Sequence, residues 1–401
     1  MDYSKVCYIP FHGLTIDPSG HVTFCCMDYP SFDKPMHEMP EHTKSRWFHT
    51  ELIDEIEDLE EWWKKKYKPV WEDHMAGKAA SCFPCSGCFA GRHRSKNTTV
   101  QESYQRNLES GKLKWEFDEQ DPKIRFLEFT TSNVCNQMCV MCNYRFSTQW
   151  WEHSDDFNRV RKTGQKLVKL SDGAINKVKK ILPQLSHVMI KGGEPLADMN
   201  NMHLLEELSE VNSDCWIAMT TNFQAVTQRH INIFKKLPRA DIYISIDGTD
   251  EIFNWIRGGD FKRVDENIKR FHGETGLMCQ ISVTTSMFNF FSTNRILEYF
   301  YQRPEIKYFH HHNVVSYPEW CNPRFLPEEI FEEQMVKNMN MGVKFGKQLC
   351  QFDKFFDLEH KPTPYPNYWN DVKNYVLKMN LIRGFDITDH VPELRAILQA
   401  I

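Results

Sequence analysis

The alternation of strand-like and helix-like segments between residues 122 and 314 constrains the fold of this 401-residue chain more than any other feature. Six short β-rich runs recur there, at 124–129, 187–191, 215–220, 241–246, 279–285 and 307–314. Segments with helical spacing lie between them, at about 174–184, 202–211, 226–237, 261–272 and 293–302. This α/β pattern predicts βα units around a parallel sheet. The sheet is either a barrel or doubly wound, and the pattern alone does not separate the two.

The two flanking regions lack this alternation. Near the N-terminus we predict a hairpin at 15–24, with Pro18-Ser19-Gly20 as its turn, and a helix at about 51–67. The C-terminal region is rich in proline and has helical stretches at about 328–349, 367–380 and 392–401. We therefore predict a small Cys-rich, metal-organised module at 1–120, the α/β domain at 121–318 and a helical extension at 319–401 that packs on it.

Composition excludes some classes of partner. Lysine and arginine number 49 and acidic residues 54, a net charge of −5, so no overall basic field indicates a nucleic-acid partner. The chain has no run of about 18 apolar residues that would predict a transmembrane helix. Its first residues show no apolar signal-peptide region. We expect a cytoplasmic protein without a membrane partner.

Thirteen cysteines are distributed unevenly. Six fall within the first 90 residues and three more within the eight positions 135–142. In a reducing compartment, clusters of this kind bind metal more often than they form disulfides. The remaining four are isolated and are expected to be buried apolar residues: Cys215, Cys279, Cys321 and Cys350.

The most specific motif is the triplet Cys135, Cys139 and Cys142, spaced C-x3-C-x2-C directly after the first strand of the series. Three thiolates on one short loop can hold three irons of a 4Fe–4S cubane, and the fourth iron then remains open to a small molecule. Four cysteines would saturate the cluster and suit electron transfer alone. The alternative is a structural zinc with a fourth ligand elsewhere in the chain.

This triplet resembles the signature of the radical S-adenosylmethionine (SAM) superfamily. The resemblance implies a partial (β/α)6 TIM-like barrel in which SAM chelates the open iron. The motif Gly192-Gly193-Glu194-Pro195, at the end of the second predicted strand, is similar to the family's GGEP motif. By that resemblance it binds the SAM amino group. The alternative is a glycine turn with a capping glutamate.

Further motifs of the family follow at the ends of later strands. Thr221 and Asn222 close the third strand, and Ser245 and Asp247 close the fourth. Active-site groups of a parallel barrel lie at these strand ends. The resemblance implies that they offer polar groups to SAM, with Ser245 at its carboxylate or ribose, and that Arg257 pairs with its carboxylate. Alternatively, Asp247 caps the next helix and Arg257 lies on the surface.

The N-terminal cysteines resemble the SPASM and twitch modules of radical SAM enzymes, which hold auxiliary Fe–S clusters. The resemblance implies four ligands: Cys7, Cys25, Cys82 and Cys85. Cys26 can replace Cys25, and Cys88 can replace either cysteine of the C-x2-C knuckle. A zinc held by four cysteines uses the same knuckle spacing, and His93 offers another ligand, so zinc remains the alternative.

The resemblance implies an enzyme that cleaves SAM reductively to methionine and a 5′-deoxyadenosyl radical. That radical abstracts hydrogen from an unknown substrate, which can be a peptide, a sugar or a small metabolite. The electron would come from a donor such as flavodoxin or ferredoxin. No catalytic side chain is assigned. Two alternatives remain open: the same enzyme with structural zinc in its N-terminal module, and a non-catalytic Fe–S or zinc scaffold that transfers electrons.

Overall fold

The computed structural model describes residues 6–23, 25, 51–78, 85, 100–153, 164–345 and 363–400. Cys26, Cys82, Cys88, His93 and Cys350 lie outside these residues. The chain divides into two compact units. The first comprises Met1–Asn133, Leu167–Met219 and Lys236–Ala240, and the second comprises Val134–Lys166, Thr220–Lys235 and Asp241–Ile401. The predicted domain limits at 120 and 318 stay a prediction. Among the described helices, none combines the length and apolar character needed to cross a membrane.

The first unit combines strands and helices in one layered arrangement. Its elements are α1 (Tyr8–His12), β1 (Gly13–Ile16), β2 (Val22–Thr23), α2 (Leu59–Met75), α3 (Val100–Glu109), β3 (Phe126–Phe129), α4 (Asp172–Ile181), β4 (His187–Ile190), α5 (Met199–Val211) and β5 (Trp216–Thr221). Short 3-10 turns occur at Ile53–Glu55, Leu182–Gln184 and Pro195–Ala197. Buried side chains on β1 and β3 show that both faces of these strands are covered, as is usual for parallel sheets.

The strand order of the first unit is β2-β1-β3-β4-β5. The predicted hairpin is present, because β1 pairs with β2 in antiparallel register, Thr15 opposite Thr23. In addition, β1 pairs with β3 in parallel register, Ile16 opposite Phe129. A segment that we expected to belong to a separate Cys-rich module thus adds a strand to the parallel sheet.

The helix predicted at 51–67 begins later than expected. A 3-10 turn occupies Ile53–Glu55, and α2 starts only at Leu59. The reason is Asp58, whose side chain accepts hydrogen bonds from the backbone N–H groups of Glu60 and Glu61 at 2.9 and 3.0 Å. An aspartate that caps the first-turn amides in this way fixes a helix start.

The second unit contains the remaining strands and the C-terminal helices. Its elements are α6 (Gln228–Lys236), β6 (Ala240–Ser245), α7 (Asp250–Arg257), α8 (Phe261–Thr275), β7 (Cys279–Thr285), α9 (Thr293–Phe300), β8 (Ile306–Val314), α10 (Glu328–Phe345), α11 (Tyr368–Arg383) and α12 (Pro392–Ala400). Short 3-10 turns lie at Thr148–His153, Glu319–Cys321, Pro323–Phe325 and Ile387–Asp389. The order β6-β7-β8 is parallel throughout.

The predicted α/β class is confirmed. All six strands of the series are present, and their ends differ from the predicted ones by two residues at most. Within each unit the parallel strands follow one another in chain order. Sequential order is typical of a (β/α) barrel, whereas a doubly wound sheet reverses its order at a switch point. The strand order thus favours the barrel interpretation.

The core of the second unit joins the cysteine loop to the C-terminal helices. Apolar side chains from three regions form one buried cluster: Met138 and Val140 from the loop, Trp255 from α7, and Tyr375 and Met379 from α11. Burial of this much apolar surface is the main stabilising contribution to such a packing. The helical tail is therefore part of the core that supports the cysteine loop.

Candidate active site

The cysteine loop is held by the 3-10 turn that follows it. Trp150 Nε1 donates to the carbonyl of Cys139 at 2.9 Å, and Ser147 Oγ donates to the carbonyl of Gln137 at 2.7 Å. Thr148 Oγ1 contacts both the N–H and the carbonyl of Cys135, at 3.4 and 3.3 Å. Several backbone polar groups of the loop are thus satisfied by side chains of the segment that directly follows it.

The three thiols of the loop interact with one another. Cys135 and Cys139 are buried, and Cys142 is half-buried. Burial raises the pKa of the Cys142 thiol, and the nearby Cys139 and Cys135 raise it further. Burial therefore disfavours the thiolate form of Cys142. Positive metal centres would stabilise the thiolate forms.

The donor set of the loop consists of three thiols, two of them buried. Thiolate sulfur is the usual protein ligand of Fe–S clusters, and in a cubane each cysteine binds a different iron. The three thiols of the loop therefore fit a 4Fe–4S cluster by the chemistry of their donor atoms.

A buried ion pair lies beside Cys139. The Nε of Arg257 is 2.5 Å from Asp247 Oδ2, and its Nη1 is 3.7 Å from Cys139 Sγ. Burial alone would lower the pKa of Arg257, but Asp247 and then Cys139 outweigh it and raise the pKa. The same guanidinium opposes the effect of burial, which raises the pKa of Cys139. A permanent positive charge thus sits next to the central thiol of the triplet.

Two alternatives for these residues are wrong. Asp247 does not cap α7, because that helix starts after Thr249 and Asp247 Oδ1 instead accepts the N–H of Thr284 at 2.7 Å. Arg257 is not a surface arginine, because only 11% of its side chain is exposed. Buried charges of this kind persist only when they are paired, so each residue holds the other in place.

Thr221 and Asn222 form a polar turn beyond β5. Both are buried, and their side-chain oxygens accept the N–H groups of Phe223 and Gln224 at 3.0 Å each. Asn222 Nδ2 also donates to Asn136 of the cysteine loop at 2.7 Å. The structure therefore brings Asn222 to the loop. Ser245, at the end of β6, is half-buried.

The GGEP segment lies in the first unit. Gly192 has φ +129°, and a Cβ there would lie 2.5 Å from Thr130 Cγ2, so only glycine fits. Glu194 is buried, and its Oε1 accepts the N–H of Leu196 at 3.0 Å, where it caps the turn Pro195–Ala197. This is the capping contact that the alternative interpretation expected.

Three N-terminal cysteines are described, and all are buried: Cys7, Cys25 and Cys85. Sequence analysis missed their neighbour His74. Its Nδ1 accepts the N–H of Cys7 at 3.4 Å, and its Nε2 is 3.3 Å from Cys85 Sγ. Because Nδ1 is an acceptor, Nε2 carries the proton and donates to the sulfur. The sequence does contain a pattern that could have indicated a buried His74. The buried side chains of α2 recur at helical spacing and continue to this histidine: Trp63, Tyr67, Val70 and Trp71.

Residues 129–287 match the family model described as the radical SAM superfamily. Among curated proteins, GTP 3′,8-cyclase from Clostridium botulinum strain Hall is 28% identical over 155 residues, which are 38% of this chain and 45% of the cyclase. The cyclase from the Okra strain matches over the same shares. The chain thus spans less than half the length of these curated relatives.

Among solved structures, SuiB from Streptococcus suis bound to precursor peptide SuiA matches this chain with a TM-score of 0.39 and 13% identity. That match covers 83% of this chain and 70% of SuiB. Native anSMEcpe with bound AdoMet is similar at a TM-score of 0.37 and 16% identity, over 65% of this chain and 62% of that protein.

Proposed function

We propose that this chain, which contains a radical SAM domain over residues 129–287, is an enzyme that cleaves S-adenosylmethionine reductively. Cys135, Cys139 and Cys142 would hold the 4Fe–4S cluster, and SAM would chelate its open iron. A 4Fe–4S cluster held there would supply the electron for reductive cleavage of the SAM C5′–S bond, which gives methionine and a 5′-deoxyadenosyl radical. The radical takes a hydrogen atom from the substrate, and 5′-deoxyadenosine is released.

The observation that carries this proposal is the environment of Cys139. Its thiol lies in a loop whose two other cysteines are near enough to affect one another's ionisation. The buried guanidinium of Arg257 is 3.7 Å from its sulfur. Three thiols on one loop and a buried cation beside one of them support the proposal of an anionic, thiolate-ligated cluster here.

The other predicted SAM-binding residues have distinct proposed roles. Glu194 would accept hydrogen bonds from the SAM amino group, with Gly192 and Gly193 allowing close backbone approach. Ser245 would contact the SAM carboxylate or ribose, and Arg257 the carboxylate. Asp247 acts through Arg257, because it has no exposed surface and its two oxygens serve Arg257 and Thr284. Thr221 and Asn222 would hold the turn beside the loop, since their oxygens are already used there.

For the N-terminal cysteines we propose an auxiliary Fe–S cluster on Cys7, Cys25, Cys82 and Cys85. Support comes from the burial of the three described thiols and from the N–H donor that His74 directs at Cys85. Hydrogen bonds to ligand sulfurs are a usual means of tuning such clusters. Structural zinc is the competing outcome. We also propose that the enzyme is cytoplasmic and receives its electron from a donor such as flavodoxin or ferredoxin. Its proposed substrate is a peptide, a sugar or a small metabolite.

The test is anaerobic reconstitution of the full chain with iron and sulfide, followed by SAM and dithionite. We expect 5′-deoxyadenosine from the native chain and none from Cys139→Ala. Cys215→Ala is the matched control, because Cys215 is equally buried but isolated. It should retain product formation.

Metal analysis of the same samples separates the alternatives. About eight irons per chain indicate two cubanes, and about four indicate one. Zinc together with about four irons would contradict the auxiliary cluster but leave SAM cleavage standing. A chain that binds iron but yields no 5′-deoxyadenosine would be a scaffold, and the proposed function would be wrong.

A further inference from the structure

The backbone on both sides of Cys139 is held by side chains from the distant helix α11. The carbonyl of Met138 accepts a hydrogen bond from Arg383 Nη2. The carbonyl of Val140 accepts one from Tyr375 OH at 2.7 Å. Buried carbonyls need such donors, and the loop cannot supply them itself. The helical tail therefore takes part in setting the conformation of the cysteine loop.

Arg383 also connects the loop to α7. Its Nε donates to the carbonyl of Trp255 at 2.8 Å, within the last turn of that helix. The last carbonyls of a helix lack intrahelical partners and favour a nearby cation. Because α7 also carries Arg257, one guanidinium joins the backbone next to Cys139 to the helix whose arginine contacts the Cys139 sulfur.

Gly258 leaves room for this bridge. It ends α7 with φ +68°, a left-handed conformation that favours glycine. A Cβ at this position would lie 2.7–2.8 Å from three atoms of the Arg383 guanidinium. A side chain here would therefore displace Arg383 from the carbonyls of Met138 and Trp255.

Arg383 brings a second positive charge to Cys139. Its guanidinium donates to the carbonyl of Met138, the residue before Cys139, and the Arg257 guanidinium lies 3.7 Å from the Cys139 sulfur. Positive charge and hydrogen bonding around a cluster ligand favour the state that holds one more electron. The two arginines thus act in the same direction on a cluster bound at Cys139.

We propose that Arg383 is a positioning residue for the cluster: it fixes the Cys139 backbone against α7, and its charge raises the reduction potential of the cluster. This inference rests on the proposed function, because it requires a cluster on Cys139. It assigns a role in the redox chemistry to the helical tail, about 240 residues after the loop it supports.

The test compares Arg383→Gln, Arg383→Lys and Tyr375→Phe with the native chain and with Arg395→Gln. Arg395 is the control, because it is an exposed arginine of α12 paired with Asp389. The measured quantity is the midpoint potential of the reconstituted cluster in the absence of SAM. Electron paramagnetic resonance detects the reduced cluster during the titration. We expect a shift to more negative potential in Arg383→Gln and a smaller shift in Arg383→Lys, which keeps the charge. Tyr375→Phe removes a hydrogen bond but no charge, so it should shift the potential less than Arg383→Gln does. Arg395→Gln should keep the native potential.

The yield of 5′-deoxyadenosine tests whether Arg383 positions the cysteine loop. Arg383→Lys loses the forked bridge, so we expect its 5′-deoxyadenosine yield to fall about tenfold, as for one lost charge-assisted hydrogen bond. Native potential and yield in both Arg383 variants would overturn the inference. Where Arg383→Gln does not fold, by circular dichroism, Arg383→Lys alone decides. A native chain without a reducible cluster would instead contradict the proposed function.

Discussion

At the scale of single residues, the Asp247–Arg257 pair shows how a buried charge depends on its partner. Asp247 is fully buried, and its oxygens serve the Arg257 guanidinium and the Thr284 N–H. Removing one member of such a pair leaves the other charge uncompensated, which costs about 3–5 kcal/mol. We therefore predict that Asp247→Asn lowers the free energy of unfolding by about 3 kcal/mol, measured by urea denaturation.

The control for this prediction is Asp389→Asn. Asp389 pairs with Arg395 in the same unit, but both side chains are substantially exposed, at 65% and 44%. Exposed pairs contribute about 1 kcal/mol or less, so the control should unfold at nearly the native urea concentration. If the two variants lose the same free energy of unfolding, the buried pair contributes no more to stability than the exposed pair, and the prediction is wrong.

His74 gives a second prediction at the residue scale. Its Nε2 donates to Cys85 Sγ while its Nδ1 accepts the N–H of Cys7. Loss of an outer hydrogen-bond partner reduces metal affinity about 10- to 100-fold. We predict that His74→Gln releases the N-terminal metal to a chelator at a concentration about tenfold lower or more than the native chain requires.

His203 is the matched control, because it is exposed on α5. His203→Gln should hold its metal as the native chain does. Equal metal retention in His74→Gln and the native chain would mean that His74 has only a packing role.

At the scale of elements, the start of α2 depends on Asp58 rather than on apolar periodicity. Replacing an N-cap aspartate with alanine costs about 1 kcal/mol, because two first-turn N–H groups lose their acceptor. We predict this loss for Asp58→Ala in denaturant unfolding of the first unit. Glu72→Ala, at an exposed position inside the same helix, is the control and should unfold as the native chain does, within about 0.5 kcal/mol.

Local patterns predicted the elements well, and non-local contacts account for what was missed. The strands β3 to β8 were predictable because their apolar runs and flanking turns are recorded in adjacent residues. The parallel partner of β1 was not, since Gly13–Ile16 pairs with a strand about 110 residues later in the chain. For the same reason the triplet at Cys135 was recognisable from spacing, whereas the hydrogen bonds from Tyr375 and Arg383 were not.

At the scale of the whole molecule, three buried histidines described in the first unit, His12, His74 and His187, make its stability sensitive to acid. His12 is stacked on Tyr8, and its Nδ1 hydrogen bonds to the carbonyl of Tyr8 at 3.0 Å. Its Nε2 accepts the N–H of Glu116 at 3.3 Å, so the ring fits only in its neutral form. Burial lowers the pKa of His12 to about 4 and that of His187 well below 6.5.

The sign of the resulting pH dependence follows from proton counting. Below pH 6.5 the unfolded chain binds protons at these histidines, whereas the folded chain does not until the pH approaches about 4. The stabilisation is therefore complete above pH 6.5 and is lost as the pH falls towards 4. For His12 alone the loss amounts to about 3 kcal/mol.

We predict that acid opens the first unit before the second. Hydrogen exchange followed by mass spectrometry should show protection at His187–Ile190 falling between pH 6.5 and 4.5, once the intrinsic pH dependence of exchange is corrected. Protection at Cys279–Thr285, in the second unit, should persist over that range, because burial there involves thiols that are already neutral.

Two variants serve as comparisons. In His12→Gln, protection of the first unit should fall less steeply with pH than in the native chain, and in His203→Gln it should fall as in the native chain. Because two units with different acid responses do not unfold as one cooperative system, a single melting temperature would not describe this chain. Parallel loss of protection in both segments would mean that the buried histidines do not set the acid response.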